Sequence, residues 1–152
     1  MVSPNHQGNK LFLVCPFCQM ENFIIKRYGE AFFYTAPAAM FHFKNDNLQA
    51  IKEFITREEV GEIYLVGETS CNFTNNVLDN KDLSGLQCET EIQKLISIGD
   101  TPQSLTEKMM KNQANRLGGK ALFGKEIEAG NTSLHILVTD KRENKITEIE
   151  PA

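Results

Sequence analysis

The chain has 152 residues, 41% of them hydrophobic and 24% charged, with a net charge of −4. That length suffices for one domain with a real core, and the acidic balance argues against nucleic acid or an anionic membrane as main partner. No apolar run approaches the ~18 residues of a membrane span and the N-terminus lacks the apolar centre of a signal peptide, so the expected compartment is the cytoplasm, where four cysteines are free thiols, metal ligands or redox groups rather than structural disulfides.

Residues 1–10 read as a flexible, polar lead, followed by a single domain from residue 11 to residue 152. Leu11-Phe12-Leu13-Val14 is a short continuous apolar run, the pattern of a strand buried on both faces, and Pro16 stops it. Met20 to Tyr28 predicts a short helix closed by Gly29, and the aromatic run Ala31 to Ala36 a second strand stopped by Pro37. Asp46 or Asn47 can cap a helix in which Leu48, Ile51, Phe54 and Ile55 repeat at helical spacing. Gly61 ends that unit, and Glu62 to Gly67 forms the third strand.

The polar stretch from Asn72 to Ser84 reads as a short helix and a loop. Cys88, Ile92, Leu95 and Ile96 lie at helical spacing, which places Cys88 on an apolar face. Thr101-Pro102 is a helix start, a capping residue followed by proline at the first position, and Gly118-Gly119 ends that helix. A shorter helix is expected over Lys120 to Ala129. Ser133 to Thr139 is a fourth strand, and Lys145 to Ile149 a fifth, its antiparallel hairpin partner across the turn Arg142-Glu143-Asn144. Strands alternating with helices in this order predict a three-layer α/β fold, a mostly parallel five-stranded sheet with an antiparallel edge strand.

Two stretches carry chemistry. Cys15-Pro16-Phe17-Cys18 follows the first strand, and Glu68-Thr69-Ser70-Cys71 follows the third. In a parallel sheet both strand ends fall on the carboxyl edge, where α/β proteins keep their sites. Each residue also has a plainer reading. Cys15 and Cys71 can be small buried hydrophobes, and Glu68 can cap the helix after strand three or complement its positive end. His42 reads as a satisfied histidine at a surface edge, His135 as a structural residue within a strand, and His6 as part of the lead.

Leu11 to Cys15, Ile63 to Cys71, the Asn112-Gln113 helix segment and Leu134 to Asp140 with its hairpin partner together resemble the β-class carbonic anhydrases. That family places a cysteine after its first strand in a Cys-x-Asp-x-Arg motif and a Gly-His-x-x-Cys motif after its third. The resemblance implies a zinc site, with Cys15 and Cys71 as two ligands. It also implies carbon dioxide or bicarbonate as substrate and a homodimer formed through the sheet near Phe32, Phe33 and Tyr34. Three positions depart from the pattern: the histidine ligand falls at Glu68, the aspartate at Phe17 and the arginine at Gln19. The helical arm that family dimers exchange has no counterpart ahead of Leu11.

Glutamate is a legitimate zinc ligand, so the resemblance implies a metal set of Cys15, Glu68 and Cys71, while Cys18 in the family pattern points away from the ion. Hydration of carbon dioxide requires a zinc-bound water that ionises at about pKa 7. A carboxylate beside two thiolates makes the ligand set net negative and weakens that acid, and Phe17 cannot accept a hydrogen bond. Classical hydration is therefore expected to be absent or strongly reduced. A rival reading takes Cys15-x-x-Cys18 as the dithiol of a glutaredoxin-like oxidoreductase, its first thiolate held at a helix N-terminus. A third is a scaffold that has lost its chemistry and serves for binding alone.

Overall fold

The structure, a computed structural model, describes residues 8–43, 45–83, 85–118, 124 and 132–150. Its strands are β1 (Asn9–Val14), β2 (Phe32–Thr35), β3 (Val60–Glu68), β4 (Ser133–Asp140) and β5 (Lys145–Ile149). The helices are α1 (Glu21–Tyr28), α2 (Asn45–Arg57), α3 (Asn72–Leu78), α4 (Gln87–Leu95) and α5 (Pro102–Leu117). A single 3₁₀ turn, Pro37–Ala39, follows β2.

The five strands form one sheet in the order β2-β1-β3-β4-β5. All neighbours run parallel except β4 and β5, which pair as an antiparallel hairpin. The chain leaves β1 for β2 on one side and then crosses to β3 on the other. This reversal opens a crevice beyond the carboxyl ends of β1 and β3, the place where open α/β sheets bind ligands.

Period-two alternation splits each central strand between two cores. Leu11, Leu13, Ile63, Leu65 and Ile136 face a layer that includes Ile51, Ile55, Ile92, Leu105, Met109 and Met110 from α2, α4 and α5. Phe12, Val14, Tyr64, Val66 and Leu137 face the other way, against Met20 and Ile24 at α1. With both faces covered, β1 and β3 read as unbroken apolar runs, as the sequence predicted.

The start of α5 is built as expected. Thr101 Oγ1 accepts from the Ser104 amide at 3.1 Å, the Thr101 amide donates to Ser104 Oγ at 2.9 Å, and Pro102 sits in the first turn. Gly29 closes α1 with φ +81°, a left-handed value that favours glycine. Gly67 is needed for space instead: a Cβ there would lie 2.5 Å from Thr106 Cγ2 and 2.7 Å from Met110 Cγ, so α5 rests directly on the β3 backbone.

Three expectations change. Asn9 and Lys10, read as lead, belong to β1: the Asn9 amide donates to Glu59 O at 2.9 Å and its side chain to Glu58 O at 2.6 Å, pinning the strand against the start of β3. Asp46 and Asn47 lie inside α2, which already begins at Asn45. The aromatics of β2, which as an expected dimer face would be exposed in a single chain, are half-buried, Phe32 edge-on to Phe54, Tyr34 beside Phe41 and Phe43, and Phe33 stacked on Phe12. His6 and the helix expected over Lys120 to Ala129 lie outside the described residues, Gly124 apart.

Candidate metal centre

Two tight turns at the ends of neighbouring strands build the site. After β1 the Cys18 amide donates to Cys15 O at 3.3 Å, and after β3 the Cys71 amide donates to Glu68 O at 3.1 Å. Each turn brings its last residue back over the sheet edge. As a result Cys15, Cys18 and Cys71 offer sulfurs that all lie within 4.8 Å of one another. All three are free thiols, Cys15 and Cys71 buried and Cys18 half-buried.

A third strand end contributes through its backbone. Ala38, in the turn after β2, donates its amide to Cys15 Sγ at 3.2 Å. Ala38 and Ala39 both have positive φ, 58° and 55°, a conformation that costs an alanine about 1 kcal/mol or more. That local strain aims an N–H at the thiol.

The protons in the cluster are unevenly held. Donation from Cys18, then from Cys71, then from the Phe17 and Ala38 amides brings the Cys15 thiol down to about 3, against the pull of burial. The reciprocal bonds push Cys18 far up and raise Cys71, because each keeps its proton to donate its S–H to Cys15.

The three cysteines line a cavity of about 10 Å³ together with residues that include Glu68, Thr106 and Met109. A volume of that size is enough for one water-sized body. The Thr106 hydroxyl is buried and has no hydrogen-bond partner among the described residues, so one polar group at this cavity lacks a partner. Tetrahedral zinc with bonds of about 2.3 Å holds sulfurs about 3.8 Å apart. The donor set therefore fits a thiophilic ion after a small contraction.

Glu68 is occupied differently from the sequence expectation. Its Oε1 accepts from Thr139 Oγ1 at 2.7 Å and from the Lys141 amide at 3.1 Å, and its Oε2 accepts from the Ser70 amide at 3.0 Å and from Ser70 Oγ. The carboxylate fastens the end of β3 to the end of β4. Glu68 lines the cavity, but the mutual-distance set among the described residues is Cys15, Cys18 and Cys71. Cys18, expected to point away from an ion, is brought in; the Cys-x-x-Cys spacing was the signal that could have found it.

Phe17 is 65% exposed and packs edge-on against Phe73, with ring centroids 5.5 Å apart. His42 and His135 behave as read. His42 is engaged by Glu91 at 2.9 Å and Arg116 at 3.3 Å, and His135 lies between Ser133 and Glu148 and stacks on Tyr64. Cys88 is buried in the core, which pushes its thiol up to about 11. The helix after Cys18 starts only at Glu21, so the Cys15 thiolate is held by thiols and amides of turns and not by a helix end.

No protein-family model matches the sequence, and no curated protein matches it. Solved structures do. The β-carbonic anhydrase CafA of Aspergillus fumigatus superposes with a TM-score of 0.73 at 20% identity, over 97% of this chain and 77% of that one. The fold is that of the β-carbonic anhydrases. Tetrameric β-carbonic anhydrases from Sordaria macrospora match with a TM-score of 0.71 at 16% identity, over 95% of this chain and 82% of theirs. A Coccomyxa β-carbonic anhydrase in complex with acetazolamide matches at 0.69 and 13%, over 96% and 73%. At such identities the likeness is one of fold, and it agrees with the resemblance carried by Cys15 and Cys71.

Proposed function

We propose that this protein is a zinc-thiolate protein on a β-carbonic-anhydrase scaffold in which hydration of carbon dioxide is lost or strongly reduced. The observation that carries this reading is the meeting of Cys15, Cys18 and Cys71 within 4.8 Å at the carboxyl edge. Cys18 takes the place that the sequence pattern offered to Glu68, whose two oxygens are engaged by Ser70, Thr139 and Lys141. Bound zinc would supply a Lewis acid, and three thiolates leave that centre with a net negative charge and little acid strength.

The chain's own residues point the same way. Phe17 and Gln19 stand where the family keeps its aspartate and arginine, and an exposed phenyl ring neither accepts nor relays a proton. The cluster needs reduced thiols to bind metal, which suits the cytoplasm; no helix among the described residues is long and apolar enough to cross a membrane. The partner is a second copy: β2 lies at the end of the sheet order with one side unpaired among the described strands.

Metal analysis of the purified, reduced protein tests this directly. The expected result is one zinc per chain, lost in Cys71→Ala, with stopped-flow hydration at the uncatalysed rate. A zinc-loaded protein that turns over carbon dioxide as the family does would overturn the loss of activity. A protein that holds no zinc after reconstitution would overturn the site. Light scattering reads the oligomer, with a monomer at working concentration excluding the dimer.

A further inference from the structure

The geometry points to Lys141 as the positioning residue that holds Cys18 at the metal, and to Glu68 as the group that aims Lys141. This inference rests on the three-thiol site. The segment from Cys15 to Met20 belongs to neither a helix nor a strand; the Cys18-to-Cys15 turn is a long bond of 3.3 Å, the Ile24 amide reaches only its last residue, at Met20 O, and Gln19 within it has φ 52°. A segment of that kind does not fix a side chain by itself.

Lys141 fixes it from 123 residues away. Its ammonium donates to Cys18 O at 2.9 Å and to Gln19 O at 3.0 Å. The lysine comes from the turn between β4 and β5, and its own amide is held by Glu68 Oε1 at 3.1 Å. Glu68 in turn is anchored by Thr139 Oγ1 at 2.7 Å and the Ser70 amide at 3.0 Å. The chain of contacts runs from the end of β3, through the β4–β5 turn, to the carbonyl of the third sulfur's own residue. Arg27 of α1 also binds Asn144, at its carbonyl and side-chain oxygens, so the same turn is tied to the helix that follows the cysteine segment.

The arrangement assigns a new role to the position where the family pattern has a histidine. Glu68 contributes no donor to the ion; it sets the backbone of the residue that clamps the replacement donor. Lys141 also places a positive charge beside a segment whose thiolates, with a divalent ion, carry a net negative one. Outer partners of this kind change metal affinity 10–100-fold when removed.

Cobalt(II) substitution and thiol alkylation test it with three variants. Wild-type protein is expected to show the sulfur-to-cobalt charge-transfer absorption of three thiolates. Lys141→Met is expected to lose about a third of that intensity, with binding weakened about 10–100-fold. Lys141→Arg, which can still donate to both carbonyls, is expected to recover most of both. Glu68→Gln is expected to keep the three-thiolate spectrum with binding weakened less than in Lys141→Met. In metal-free protein, alkylation followed by mass spectrometry is expected to find Cys18 reacting several-fold faster relative to Cys15 in Lys141→Met.

An unchanged spectrum, affinity and alkylation ratio in Lys141→Met would overturn the inference while leaving the metal site standing. So would loss of cobalt in Glu68→Gln with Lys141→Met intact, which would make the carboxylate a ligand. If wild type takes up no cobalt, the metal site itself is wrong and the delivery role falls with it; an unchanged alkylation ratio would then remove the clamp as well.

Discussion

Two glutamates six residues apart on β3 have opposite fates. Glu62 lies near the start of the strand, 9% exposed, and Glu68 at its end, 4% exposed. Glu62 Oε1 takes one hydrogen bond, from Tyr64 at 3.2 Å, with His135 at 3.9 Å; Oε2 has the Lys10 ammonium at 3.5 Å and no hydrogen bond among the described residues. Glu68 accepts from two backbone amides and two hydroxyls. The same side chain on the same strand is loosely held at the amino edge and saturated at the carboxyl edge. Hydrogen bonding to the strand is concentrated at the edge where the thiols meet, and such support helps to preorganise an ion site.

Breaking the contrast at its strongest point uses Gly67→Val beside Glu68. The new side chain has to displace Thr106 and Met110, whose atoms lie 2.5 and 2.7 Å from the added Cβ. The expected loss is about 3 kcal/mol in urea unfolding, at the upper end for overpacked cores; a loss under about 1 kcal/mol would mean that α5 shifts freely. Next comes Glu68→Ala, which strands the Lys141 and Ser70 amides and leaves the Thr139 hydroxyl only its long bond to Gly67 O, and should remove about 2–3 kcal/mol. Glu62→Ala should remove less than about 1 kcal/mol, since its charge is already poorly paired. Equal losses from the two alanine variants would erase the distinction between the edges.

Proton coupling sharpens the comparison further. The bonds that push the Cys18 and Cys71 thiols up mean that both must release protons when an ion binds. Apparent zinc affinity should therefore rise with pH across the neutral range, and calorimetry in buffers of different ionisation enthalpy should find about two protons released per ion. The smallest effect concerns Asp100, whose carboxyl is brought down to about 2 from 3.8, first by the Lys108 ammonium at 2.6 Å and then by the Ser97 amide. Its folded value lies below its unfolded one, so its contribution is present above about pH 4 and lost as the pH falls through about 2. Lys108→Met should flatten that acid limb, because the small contribution it removes is one present at neutral pH and already lost below about pH 2.

Much of this architecture was legible because it is written in local pattern. The doubly buried strands appear as apolar runs at Leu11 to Val14 and Ile63 to Val66, α5 as a cap and proline at Thr101-Pro102, and the closing hairpin as Lys145 to Ile149. The pair Cys15 and Cys71 was legible too, from strand ends on one edge. What escaped was non-local. Cys18 was read by analogy with a pattern in which its position faces away, whereas its carbonyl is held by a lysine 123 residues on. The hydrogen bonds that Glu68 accepts could not be read from its place in a motif either, since their donors, Thr139 and Lys141, lie more than seventy residues distant. The Ala38 amide left no mark at all, since nothing in Pro37-Ala38-Ala39 announces a left-handed turn.

The smallness of the space between the sulfurs has a kinetic side. With Cys15 and Cys71 almost fully covered, an ion bound as proposed would reach them by way of the half-exposed Cys18 segment and leave by the same door. Residence time is then governed by how often that segment swings out rather than by bond strength alone. A chelator should strip such a centre at a rate that levels off as its concentration rises.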